Sequence, residues 1–200
     1  MLRPRYFSRL LLIAGVLAGL MGAPILAQEA ASSKTGESAE TNYRTELEKE
    51  TFLLINQYRK DNKLTSFVWS GDIAKVARAH SKDMATGDVD FGHDGFGKRV
   101  KELKVVMVGL NGAGENVLKT DDPDQVAQSA VRIWLNSPHH LENIRGDFNY
   151  SGIGVWRDDQ GMVYFTQIFV KIEPETAEAQ AAPAPALATP FTFLADPKTR

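Results

Sequence analysis

A chain of 200 residues with 43% hydrophobic and 9% aromatic residues is long enough for one domain with a proper core and expendable ends. The formal charge of −2, with 17 Lys+Arg against 18 Asp+Glu over residues 44–172, excludes the basic footprint of a nucleic-acid binder. With no cysteine, a disulfide framework and a thiol nucleophile are excluded too.

In chain order, Arg3, Arg5 and Arg9 precede the apolar run "LLLIAGVLAGLM", which gives way to Gly22, Pro24 and the small Ala27. Basic, apolar, then small is the order of a secretory signal peptide over residues 1–27, with cleavage expected before Gln28. Residues 10–27 are uncharged and approach spanning length, so a retained anchor is the alternative. A cleaved signal implies a secreted or periplasmic protein with no stable membrane span. Residues 28–43, small, polar and acidic, read as a flexible spacer. The Ala/Pro/Glu-rich residues 173–200 read as a disordered tail, which leaves a folded domain over 44–172.

Within that domain "TELE" is a capping box, Thr45 with Glu48, opening a helix whose apolar stripe runs through Leu47, Leu54, Ile55 and Tyr58 to a stop near "DNK". A second helix is predicted from Ser70 to Gly87, with Ile73, Ala77, His80 and Met84 on one stripe. His80 therefore reads as a core histidine tied to a backbone carbonyl. A short third helix fits "GKRVKEL". The fourth is predicted to start at "DDPDQ", with Asp122 as cap, and to carry Val126, Ala130, Val131 and a buried Trp134 as far as Ser137-Pro138. The strands "YSGIGVWR" and "MVYFTQIFVKI", joined by "DDQG", read as an antiparallel hairpin. Helices first and a hairpin last predict a layered α+β domain.

Three short motifs can carry chemistry: "FGHDGF" with His93, "GAGENV" with Glu115 and "WLNSPHHLENI" with His139 and His140. Each alone has a structural explanation. A lone histidine is more often hydrogen-bonded scaffold than ligand, the glycines of "GAGEN" suit a tight turn, and Ser137-Pro138 suits a helix start. The set "AKVARAHSKDMA", "GH", "GEN", "WLNSPHHLENI", "GIGV" and "YFTQIF", in this order over residues 47–170, resembles the CAP superfamily of cysteine-rich secretory, antigen 5 and pathogenesis-related proteins. The match is nearest to its cysteine-free bacterial branch. The resemblance implies a three-layer α-β-α sandwich with a groove lined by His93, Glu115, His140 and Tyr164. It also marks departures. Ser137 stands where eukaryotic members carry a second glutamate, Tyr164 stands in place of their second histidine, and His139 occupies a usual glycine.

Two imidazoles and a carboxylate, His93, Glu115 and His140, can offer three ligands to a divalent metal such as zinc, with water or the Tyr164 hydroxyl in the open place. No cofactor follows with certainty, and the spacing does not pre-organise a metal. The leading expectation is a secreted, non-catalytic module that binds a small molecule, lipid, peptide or cell-envelope component in the groove, with no nucleic-acid partner. The rival is a metal-assisted extracellular hydrolase or peptidase, so catalysis stays open. A third reading has the same residues only bracing loops.

Overall fold

The computed structural model describes residues 23–173. Most of the expected signal peptide, residues 1–22, and the tail beyond residue 173 lie outside the described residues. The chain divides into two units, residues 1–43 and 44–200. Helix α1, Ala23–Asp61, runs through both. It begins upstream of the Thr45 capping box, and residues 28–43, read from sequence as a spacer, are helical. That stretch contains no proline, so nothing in it forbids the helix.

The second unit continues with β1 (Val68–Trp69), α2 (Gly71–Thr86), α3 (Phe96–Val106), β2 (Leu110–Thr120), α4 (Val126–Leu135), α5 (Pro138–Arg145), β3 (Tyr150–Arg157) and β4 (Val163–Ile172). The sheet order is β1-β3-β4-β2, with β1 parallel to β3 and the other pairs antiparallel. Register assigns the faces, since residues directly opposite one another point the same way. Gly152, Gly154, Thr166, Ile168, Glu115 and Val117 share one face. There α2 and α3 pack, and Ile73, Ala77, Leu103, Met107, Leu110, Ile168 and Val170 form the core.

The other face carries Phe165, Phe169 and Asn116. Trp134 of α4 packs edge-on against Phe165, and α5 is pinned to β2 by Asn143. Helix α1 is tied to the same layer, because Arg59 Nη1 donates to the carbonyls of Ile144 (2.6 Å) and Gly146 (3.1 Å). This is the expected helix-sheet-helix sandwich.

The "GIG" of β3 explains how α2 lies so close to the sheet. A Cβ on Gly154 would stand 1.9 Å from Arg78 N, and one on Gly152 would stand 2.4 Å from Ala74 N. The helix backbone occupies the space that any other residue would need.

Helix α2 has the predicted ends: the Ser70 side chain accepts from Ile73 N, and Gly87 closes the helix in the left-handed conformation at φ 77°. Three local expectations change. Helix α4 starts at Val126, and Asp122 Oδ1 instead accepts from Asp124 N and Gln125 N in the turn before it. Ser137 sits at the start of α5 without a side-chain cap bond. The third concerns "GAGEN", which is not a turn. It lies inside the eleven-residue strand β2, where Gly114 through Leu118 are consecutively buried. A strand buried on both faces loses the alternation that announces a strand in sequence.

Candidate functional site

Glu115 lies on β2, the edge strand opposite β1, facing α2 and α3. Its carboxylate is 1% exposed and is fully engaged. Arg99, one turn into α3, forms a two-pronged pair with it: Nε donates to Oε2 at 2.8 Å and Nη2 to Oε1 at 2.7 Å. His93 Nδ1 lies 3.0 Å from Oε1. An ionised carboxylate only accepts, so Nδ1 carries a proton toward Glu115, and the His93 side chain is 53% exposed.

The loop carrying His93 is braced from two helices. His80 Nε2 of α2 donates to the Gly92 carbonyl at 2.9 Å, and Arg99 donates to the carbonyls of Asp94 (2.8 Å) and His93 (3.3 Å). Three successive carbonyls are thus held, which fixes the imidazole of His93 over Glu115. His80 is the buried, carbonyl-bonded histidine that its helical stripe predicted. Burial pushes its pKa down, and the Arg99 charge adds to this, against the raising effect of the Gly92 bond.

His140 sits in the first turn of α5. Its carbonyl accepts from Asn116 Nδ2 at 3.1 Å, while Asn143 Nδ2 donates to the Glu115 carbonyl and to Asn116 Oδ1. These bonds seat the helix start against β2 next to Glu115. Burial lowers the His140 pKa, and the nearby His93 and His139 lower it further, so the ring favours the neutral form. His140 Nδ1 is buried with no partner among the described residues. His139 is exposed.

Tyr164 is on the same sheet face as Glu115 but opposite Lys119, four positions further along the strand. Its hydroxyl is bonded to Asp158, and burial together with that carboxylate raises its pKa. Its ring lies 6.5 Å from Phe91, over which Lys119 is placed at 5.2 Å. Tyr164 therefore lines the Phe91 end of the loop rather than the Glu115 end.

The expected three-donor metal set is not assembled. Among the described residues no group of three or more His, Asp or Glu side chains is placed to hold a metal ion. The donor chemistry explains this: both Glu115 oxygens belong to Arg99, and a divalent cation there would have to displace a guanidinium that already neutralises the carboxylate. Arg99 is the residue that sequence reading missed. Its signal was present, since an arginine on the Phe96, Val100, Leu103 stripe of a helix requires a buried acid. Asn116 and Asn143 carried no comparable mark.

The family model for CAP, the cysteine-rich secretory protein family, matches residues 52–169. Among solved structures, an extracellular protein containing a SCP domain from Bacillus anthracis is 29% identical, with a TM-score of 0.57, over 66% of this chain and 42% of that one. An outer surface protein from Borrelia burgdorferi is 21% identical with a TM-score of 0.56, over 64% of this chain and 94% of that one. A cysteine-rich secretory protein from Staphylococcus aureus is 21% identical with a TM-score of 0.52, over 64% and 39%. At 21% identity the last two speak for the fold alone. The match spans less than half of the Bacillus and Staphylococcus chains. A comparison with curated proteins returns no significant match. Among the described residues no helix is long and apolar enough to cross a membrane.

Proposed function

The chain belongs to the CAP family of cysteine-rich secretory proteins, and from that premise we propose that it is a non-catalytic, extracytoplasmic module binding a small molecule, lipid or peptide in the cleft of His93, Glu115 and His140. The observation that carries this reading is the commitment of Glu115. Its buried carboxylate is held by Arg99 and in turn holds His93 Nδ1, so the half-exposed His93 ring is presented in one orientation. Neutral His140 adds a second imidazole at the same end of β2. A rigid polar contact on a braced loop is a recognition device, and it needs no metal. The extracytoplasmic location is supported by the extracellular Bacillus relative and by the basic-apolar-small order of residues 1–27.

A metal-assisted hydrolase would use the same side chains but would require Glu115 to leave Arg99. Thermal-shift profiling against libraries of small metabolites, lipids and peptides separates the two. Ligands that raise the melting temperature of wild type and not of a His93→Ala, His140→Ala double variant support the module. Equal shifts in both proteins would remove the site. Chelator-sensitive turnover of a peptide or ester, lost in the double variant, would favour the hydrolase.

A further inference from the structure

A cleft of about 650 Å³ lies at the other edge of the sheet, between α1, Trp69 of β1 and the first turns of α2. Its apolar walls are Phe52, Leu53, Trp69 and Ala74, with Gly71 beside them. That volume falls within the range of small-molecule pockets, roughly 300 to 1,000 Å³. Trp69 is fixed by an edge-to-face contact with Phe52, ring centroids 5.0 Å apart. Even so, Trp69 is 37% exposed and Leu53 67% exposed. Large apolar side chains left open around a concavity mark a place where something binds.

The charged side chains that line the mouth are Lys49, Arg78 and Glu48. The one carboxylate, Glu48, is buried and already spent: Arg78 Nε and Nη2 donate to it at 2.7 and 2.5 Å, and Val155 N donates at 3.1 Å. Lys49 is 60% exposed, and its partner Glu46, 3.0 Å away, is 73% exposed, a pairing that water weakens. Lys49 and Arg78 thus stand over an aromatic floor with only one buried carboxylate between them. Gly71 lies at the cleft's edge, and a Cβ built there meets nothing within 4 Å.

We propose that this cleft is a second binding site, separate from the His93–Glu115 cleft, for a small planar aromatic anion. The ring of such a ligand lies against Trp69 and Phe52, where aromatic pairs gain from edge-to-face or offset stacking. Its carboxylate or sulfonate points to Lys49 at the mouth. An aliphatic body would fill the same volume without using the fixed Trp69–Phe52 geometry, and a neutral one would leave Lys49 unused.

Calorimetric titration of the full chain with 2-naphthoate, with 2-naphthol as a neutral counterpart, tests this. Gly71→Leu adds a large side chain at the lining of the cleft without a clash and replaces a poor helix former, so its melting temperature should stay within about 2 °C of wild type. Its affinity for 2-naphthoate should fall about tenfold or more. Lys49→Gln should weaken 2-naphthoate by about two- to fivefold and leave 2-naphthol unchanged. Absence of 2-naphthoate binding by wild type, undiminished binding by Gly71→Leu, or equal affinity for the two naphthyl compounds would overturn the proposal.

Discussion

Replacing Arg99 by methionine tests whether the Glu115 pair is as central as its geometry indicates. Arg99 and Glu115 are both buried, at 9% and 6% exposure. The substitution removes the two bonds to Glu115 and the two to the carbonyls of His93 and Asp94. The carbonyl bonds end on exposed loop residues that water can reach, so their loss adds little. The carboxylate has no such escape. Stripping one partner from a buried ion pair costs about 3 to 5 kcal/mol, and Glu115→Met should cost a similar amount by orphaning the guanidinium. The double variant replaces both charges with apolar atoms of similar length and should cost less than the two singles together. Urea melts near neutral pH provide the numbers, with unchanged m values confirming comparable unfolding. An Arg99→Met cost below about 1 kcal/mol, or strict additivity in the double variant, would refute the reasoning.

Trp134 is fully buried against Phe165 and its indole N–H reaches the Val117 carbonyl, so Trp134→Ala should cost about 3 to 5 kcal/mol in the same melts. Gly154→Ala drives a methyl into the backbone of α2 at Arg78 and should cost more than about 4 kcal/mol; circular dichroism of the purified variant at rising temperature would detect the loss. Stability should also depend on acidity. His80 and His140 are held below the ordinary value of 6.5, chiefly by burial, so between 6.5 and the lowered values the unfolded chain binds more protons than the folded one. Stability is therefore complete above about pH 6.5 and falls as pH drops through that window. His140→Gln should flatten the slope, and an unchanged slope in that variant would remove His140 as a contributor.

Much of the scaffold is legible in the sequence because local chemistry and tertiary structure agree there. Ser70 and Gly87 mark the ends of α2 by caps that act on neighbouring residues, and β4 is legible from its β-branched and aromatic composition next to the "DDQG" turn, although Phe165 through Val170 are consecutively buried. Strand β2 fails that test. Gly114 makes room for α5, since a Cβ there would meet Asn143 Oδ1 at 3.0 Å, and the strand's polar residues are satisfied by partners far away in the chain. The motifs single out Glu115, His93 and His140, but not the bonds that link Glu115 to its neighbours. Those bonds depend on Arg99, on a helix whose boundary with the loop sets which way the guanidinium points. The two-residue strand β1 is too short to leave any period at all.

Zinc titration by calorimetry, near pH 7.5 and near pH 5.5, tests most directly the claim that Glu115 serves Arg99 and His93 as a fixed acceptor rather than a metal. The account predicts no stoichiometric zinc binding that depends on Glu115 at either pH. One equivalent bound near pH 7.5, weakened near pH 5.5 as the imidazoles protonate and abolished by Glu115→Gln, would contradict it.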